Sequence, residues 1–114
     1  MRCIKLEPGK EPYLDSIDNT LEALQEYVGG YIETLSGVWG GMVAIVNEEG
    51  VLEGLPLNGV LSNSQFKREV LRGNVLLVRS EGDEFSSVYT SDLQKAQKYW
   101  MPAKPVRREV MEYA

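Results

Sequence analysis

Histidine is absent from the 114 residues. It is the usual general base near neutral pH and the commonest metal ligand. Its absence excludes Ser-His and Cys-His nucleophile systems and the usual zinc sites, so no metal and no cofactor is expected. Cysteine is reduced to Cys3 alone. An internal disulfide is thereby excluded, which suits a reducing compartment. Cys3 reads as a small buried residue of a first strand rather than a reactive thiol. No apolar run approaches about 18 residues, so no membrane span is expected. Arg2-Cys3-Ile4-Lys5-Leu6 is strand-like and lacks the charged-then-apolar order of a signal peptide, so a cytoplasmic location is expected.

Positive charge is in short supply. Twelve Lys and Arg face 17 Asp and Glu, for a net charge of −5. That balance weighs against nucleic acid, whose unspecific binding requires cations that release counterions. The acids are scattered and form no tail. They serve either a solvated surface or a face that meets a basic partner.

What is present suffices for one core: 43% of the residues are hydrophobic and 25% charged. Residues 1–102 are expected to form a single α+β domain, and 103–114 an extended or partly disordered tail.

Residues 2–7 alternate as a half-buried strand, Pro8-Gly9 breaks them, and 12–17 return as an edge strand. Asn19 with Glu22 fits a capping box, with Asp18 as the alternative cap. Leu21, Leu24 and Val28 share a helical face, and Gly29-Gly30 stops the helix. Tyr31 to Leu35 is strand-like. Met42 to Val46 is apolar on both faces, as a central strand is. Asn47-Glu48-Glu49-Gly50 is a turn signal, so 42–46 and 51–55 read as a hairpin. Gly54 to Gly59 reads as a loop.

Ser64 to Leu71 reads as a short helix, from Phe66 and Val70 at i, i+4. Val75 to Val78 is a second continuous apolar strand, Arg79 to Asp83 a turn, and 84–88 a short strand. Ser91 with Gln94 opens a last helix that Pro102 ends, with Leu93, Ala96 and Trp100 on its apolar side. The sum is an α+β fold: a mostly antiparallel sheet of five to six strands, with two or three short helices on one face.

The glycines match neither a phosphate loop nor a dinucleotide fingerprint, because Gly29-Gly30 closes a helix instead of opening one. Glu48-Glu49 and Glu81-Gly82-Asp83-Glu84 read as solvated turns rather than cation loops. Tyr27, Tyr31, Trp39 and Trp100 are core, interface or stacking aromatics. Lys67, Arg68, Arg72 and Arg79, with Asn58 and Asn63, are either an anion-tolerant pocket or unrelated surface charges.

Three runs carry a resemblance: Leu24-Gln25 through Val28-Gly29-Gly30-Tyr31-Ile32-Glu33, Val46-Asn47-Glu48-Glu49-Gly50, and Gly54-Leu55-Pro56-Leu57-Asn58. Gly73 to Val78 and Phe85 to Asp92 also fit. Together they resemble a family of small proteins of phages and bacterial mobile elements, a domain of unknown function. The likeness covers about residues 2–100. Val38-Trp39 and the tail after Pro102 depart from it.

The resemblance implies a context rather than a reaction. Small phage proteins without catalytic residues often bind something of the host. The expectation is a non-enzymatic accessory protein, a homo-oligomer, that counters host defence by sequestering a nucleotide-like signal. Tyr31, Asn47, Asn58, Arg72 and Arg79 are the expected contacts, arginine pairing phosphate and tyrosine stacking a base. The alternatives are an acidic inhibitor of a host defence or nucleic-acid-binding protein, an uncharacterised structural or regulatory domain and, last, an enzyme using carboxylates.

Overall fold

A computed structural model describes residues 1–62 and 68–103. The largest sheet runs β2-β1-β7-β4-β3 and every pairing in it is antiparallel. Its strands are β1 (Arg2–Leu6), β2 (Tyr13–Ser16), β3 (Ile32–Val38), β4 (Met42–Asn47) and β7 (Val75–Glu81). A further strand, β8 (Glu84–Ser86), pairs with the far end of β7. A second sheet, β6-β5-β9, holds β5 (Leu57–Ser62), β6 (Arg68–Arg72) and β9 (Met101–Pro102). Two helices complete the described residues: α1 (Leu21–Val28) and α2 (Asp92–Tyr99). The protein is α+β and mostly antiparallel.

The two apolar strands read from the sequence, β4 and β7, lie side by side at the centre, with Ala44 opposite Leu77. Strand alternation sends their side chains to two faces, and each face is covered. On one, Leu24 and Val28 of α1 pack over Cys3, Val43, Ile45, Leu76 and Val78. On the other, Leu61 and Leu71 of the second sheet join Ala96 and Trp100 in covering Ile4, Leu6, Ala44 and Leu77. The helices therefore lie on opposite faces of the large sheet, not on one as the sequence suggested. Two covered faces are why β4 is buried at all six positions.

The expected hairpin between 42–46 and 51–55 does not form. Both edges of β4 are taken, by β3 and by β7, which leaves no ladder for a returning strand. Residues 47–55 instead coil through Glu53 N–H to Glu49 O at 2.8 Å and Leu55 N–H to Gly50 O at 3.0 Å. The chain then leaves the sheet, and Leu57, within the expected loop, opens β5. The helix expected over Ser64 to Leu71 is likewise replaced where it is described. Arg68–Arg72 is a strand, with Val60 of β5 opposite β-branched Val70. Residues 63–67, Asn63 included, lie outside the described residues, as does the expected tail from 104 on.

Helix termini differ in detail. The cap of α1 is Thr20, whose backbone is extended and whose Oγ1 accepts from Ala23 N–H at 3.2 Å. Asn19 instead donates to Phe85 O at 3.0 Å. Gly29 closes the helix at φ 83°. Gly30 is there for closeness: a Cβ would sit 2.9 Å from the Asn47 amide nitrogen. At α2, Ser91 makes no side-chain cap. Asp92, the first helical residue, accepts instead from Tyr89 N–H at 2.8 Å, ahead of the helix. The helix ends at Tyr99, before Pro102, because Trp100 turns extended and leads into β9. The expected turn from Arg79 begins later, since β7 continues to Glu81.

Candidate functional site

Strand β3 is one edge of the large sheet, and β6 is an edge of the second. Between them, below the 48–52 turn, lies an open cleft of about 190 Å³. Glu33 and Leu35 of β3, and Glu69 to Arg72 of β6, supply its two walls. Glu48, Glu49, Val51 and Leu52 form its mouth.

The cleft is acidic. Among the described residues that line it, four carboxylates (Glu33, Glu48, Glu49 and Glu69) stand against one guanidinium, Arg72. It is also edged with apolar surface. Leu52 is 86% exposed, Val51 73% and Val70 59%. The coiled 47–55 segment explains the first two: its short turns point Val51 and Leu52 outward, where a strand would have buried one of them.

Asn47 holds this mouth in shape. It is buried, donates from Nδ2 to Val28 O at 3.2 Å and accepts at Oδ1 from Glu49 N–H at 2.8 Å. One amide thereby ties the end of α1 to the turn that carries the glutamates. Arg72 is half-buried and donates to Leu55 O at 3.2 Å, fixing the other end of the same turn. Tyr31 adjoins the cleft: its carbonyl accepts from Glu48 N–H at 3.0 Å, and its side chain is 69% exposed.

The remaining two predicted residues lie elsewhere. Asn58 is 1% exposed and donates to Leu6 O and Gly73 O, each at 2.8 Å, so it pins the second sheet to the first. Arg79 belongs to the opposite end of the molecule. Its Nε and Nη2 each donate to Asp92 at 2.8 Å, and its guanidinium lies 4.3 Å over the Tyr89 ring. The paired guanidinium lowers the Asp92 carboxyl to about 2, against the resistance of burial. The same bond raises the Arg79 pKa.

A family model for a domain of unknown function, DUF3846, matches residues 1–101. The chain belongs to the DUF3846 family. No curated protein and no solved structure matches it. Nothing in the DUF3846 description names a ligand or reaction, so the chemistry of this DUF3846 domain rests on its own side chains.

Among the described residues no group of three or more acidic or cysteine side chains converges to hold a metal. Cys3 is buried, and burial raises its pKa, so its thiol is a core group. Glu69, Val51 and Leu52 were not picked out from the sequence as a site. Their signal is there in part: two large aliphatics directly follow the Asn-Glu-Glu-Gly turn chemistry, in a pattern that also fits a strand.

Proposed function

We propose that this DUF3846 domain is a non-catalytic binding protein whose cleft engages a basic, partly apolar surface of a protein partner. The observation that carries the reading is that Glu33, Glu48, Glu49 and Glu69 line one cleft with exposed Val51, Leu52 and Val70. Clustered carboxylates steer a cationic partner and set its orientation. The apolar edge supplies the area that holds it. The resemblance to phage and mobile-element proteins supports a host protein as that partner, and the activity as interference with host defence.

The reading is tested by capture from host lysate with the purified protein. One stoichiometric partner, lost in high salt and lost with Glu48→Lys plus Glu49→Lys, is the expected result. A partner held equally by the charge-reversed protein overturns it.

A second reading is sequestration of a nucleotide-like signal. It is favoured by Arg72 and Asn47 both lining the cleft with Tyr31 beside it. The four carboxylates around Arg72 oppose a phosphate there. A thermal shift with cyclic or ADP-ribose-type nucleotides, abolished by Arg72→Ala, would establish this reading; no shift across a broad panel would end it.

A further inference from the structure

Carboxylates are sparse in the segment that carries α2. From Phe85 to Ala103 the only carboxylate is Asp92, and it has no exposed surface. Its exposed side chains are mostly uncharged and polar, with Lys98 as the exposed cation beside two tyrosine rings. Lys98 Nζ lies 5.3 Å over the Tyr99 ring, and Tyr99 lies 6.1 Å from Trp39, at 32°. Lys95 lies across Gly40, where its Nζ would stand 2.7 Å from a Cβ. Tyr89 and Tyr99 are both exposed. The 38–41 turn and the outer side of α2 therefore form one patch of rings and ammonium groups.

This patch and the mouth of the cleft sit at opposite ends of β4. Met42 follows the 38–41 turn, and Asn47 opens the turn at the cleft mouth. Six strand residues separate them by about 17 Å at roughly 3.3 Å per residue. β4 is fully buried between two neighbouring strands, so it cannot bend to bring one end to the other. A molecule cannot satisfy its own cleft with its own patch, but a second copy can.

We propose that the cleft of one copy receives the α2 patch of the next. Glu48, Glu49 and Glu69 face Lys98, while Val51, Leu52 and Val70 meet Tyr89 and Tyr99. Apolar contact within a charged rim is the anatomy of a specific interface. The contact is head-to-tail, so it leaves one free cleft and one free patch at the ends of each assembly. The inference rests on the cleft being a docking surface, and it adds regulation: a copy seated in the cleft keeps a host partner out until dilution or competition releases it.

Sedimentation of the full chain tests this with two variants, Glu48→Lys plus Glu49→Lys in the cleft and Lys98→Glu plus Tyr99→Ser on the patch. Circular dichroism verifies that both fold. The wild type should rise in mass with concentration and return to monomer at about 1 M salt, where charges are screened within about 3 Å. Each variant alone should stay monomeric. Their equimolar mixture should form a dimer and nothing larger, because it retains one intact cleft and one intact patch. A wild type that is monomeric throughout, a mixture that stays monomeric, or a variant that associates unaided overturns the inference. Host-partner capture at a dilution where the wild type is monomeric decides the cleft's binding role separately.

Discussion

Arg79 and Asp92 meet through two parallel hydrogen bonds of 2.8 Å, and the carboxylate they share has no exposed surface. The pair joins the end of β7, the central strand of the large sheet, to the first turn of α2. Tyr89 N–H and Lys95 add further bonds to the same carboxylate. Removing Asp92 leaves Arg79 without its partner in a half-buried position. Asp92→Ala should lower stability by about 3 kcal/mol, the lower range for breaking a buried pair. Urea unfolding with unchanged slope checks it.

Acid should weaken the protein by the same route. The Asp92 carboxyl is held at about 2, below its ordinary 3.8. A depressed carboxyl contributes stability that is fully present above the unfolded value and is lost as pH falls toward the folded one. The loss should therefore fall between about pH 4 and pH 2. Asp15, bonded to Lys5, is also held low. So is Glu7, where burial pushes upward but the Tyr27 and Tyr13 hydroxyls and Lys10 outweigh it. Urea midpoints from pH 6 to 2 should fall less steeply in Asp92→Ala, without becoming flat.

Asn58 is the clasp between the sheets. Asn58→Ala leaves Leu6 O and Gly73 O without their side-chain donor. A loss of about 2 kcal/mol is expected, since buried groups left unpaired carry their desolvation penalty. Hydrogen exchange should quicken in β5 and β6 before it does in α1, which packs on the other face. Equal quickening in both would contradict the clasp.

Gly59 should tolerate no side chain. A Cβ there would stand 2.5 Å from Met101 O and 2.5 Å from the Trp100 ring. Gly59→Ala should cost about 2 kcal/mol through overpacking and shift Trp100 fluorescence as the ring is displaced. Gly9, with nothing within 4 Å, is the control: Gly9→Ala there meets only backbone strain, and the emission should stay unchanged.

Local chemistry made much of this fold legible. The span Leu21–Val28 followed from its apolar spacing and glycine stop, and the two central strands from their unbroken apolar runs. What escaped depends on distant partners. Val51 and Leu52 look like a strand until β7, arriving from residue 75, occupies the edge they would need. Val70 looks helical until β5 pairs with it. The site shows the same division. Asn47 and Arg72 fall together because each fastens the turn at the cleft mouth. Arg79 and Asn58 carry equally suitable donors, but those are engaged by Asp92, 13 residues on, and by Leu6 O, 52 residues back. A donor's type is visible in sequence, whereas its engagement is a tertiary fact.

Docking through the acidic cleft is the role we propose for this protein. The most direct measurement is carboxylate-to-lysine cross-linking of the captured complex, at a dilution where the protein itself is monomeric. Links from Glu48, Glu49 and Glu69 to lysines of the partner are expected, and so is their loss when the cleft is charge-reversed. Links confined to carboxylates outside the cleft, with Glu48, Glu49 and Glu69 unreacted, would contradict it.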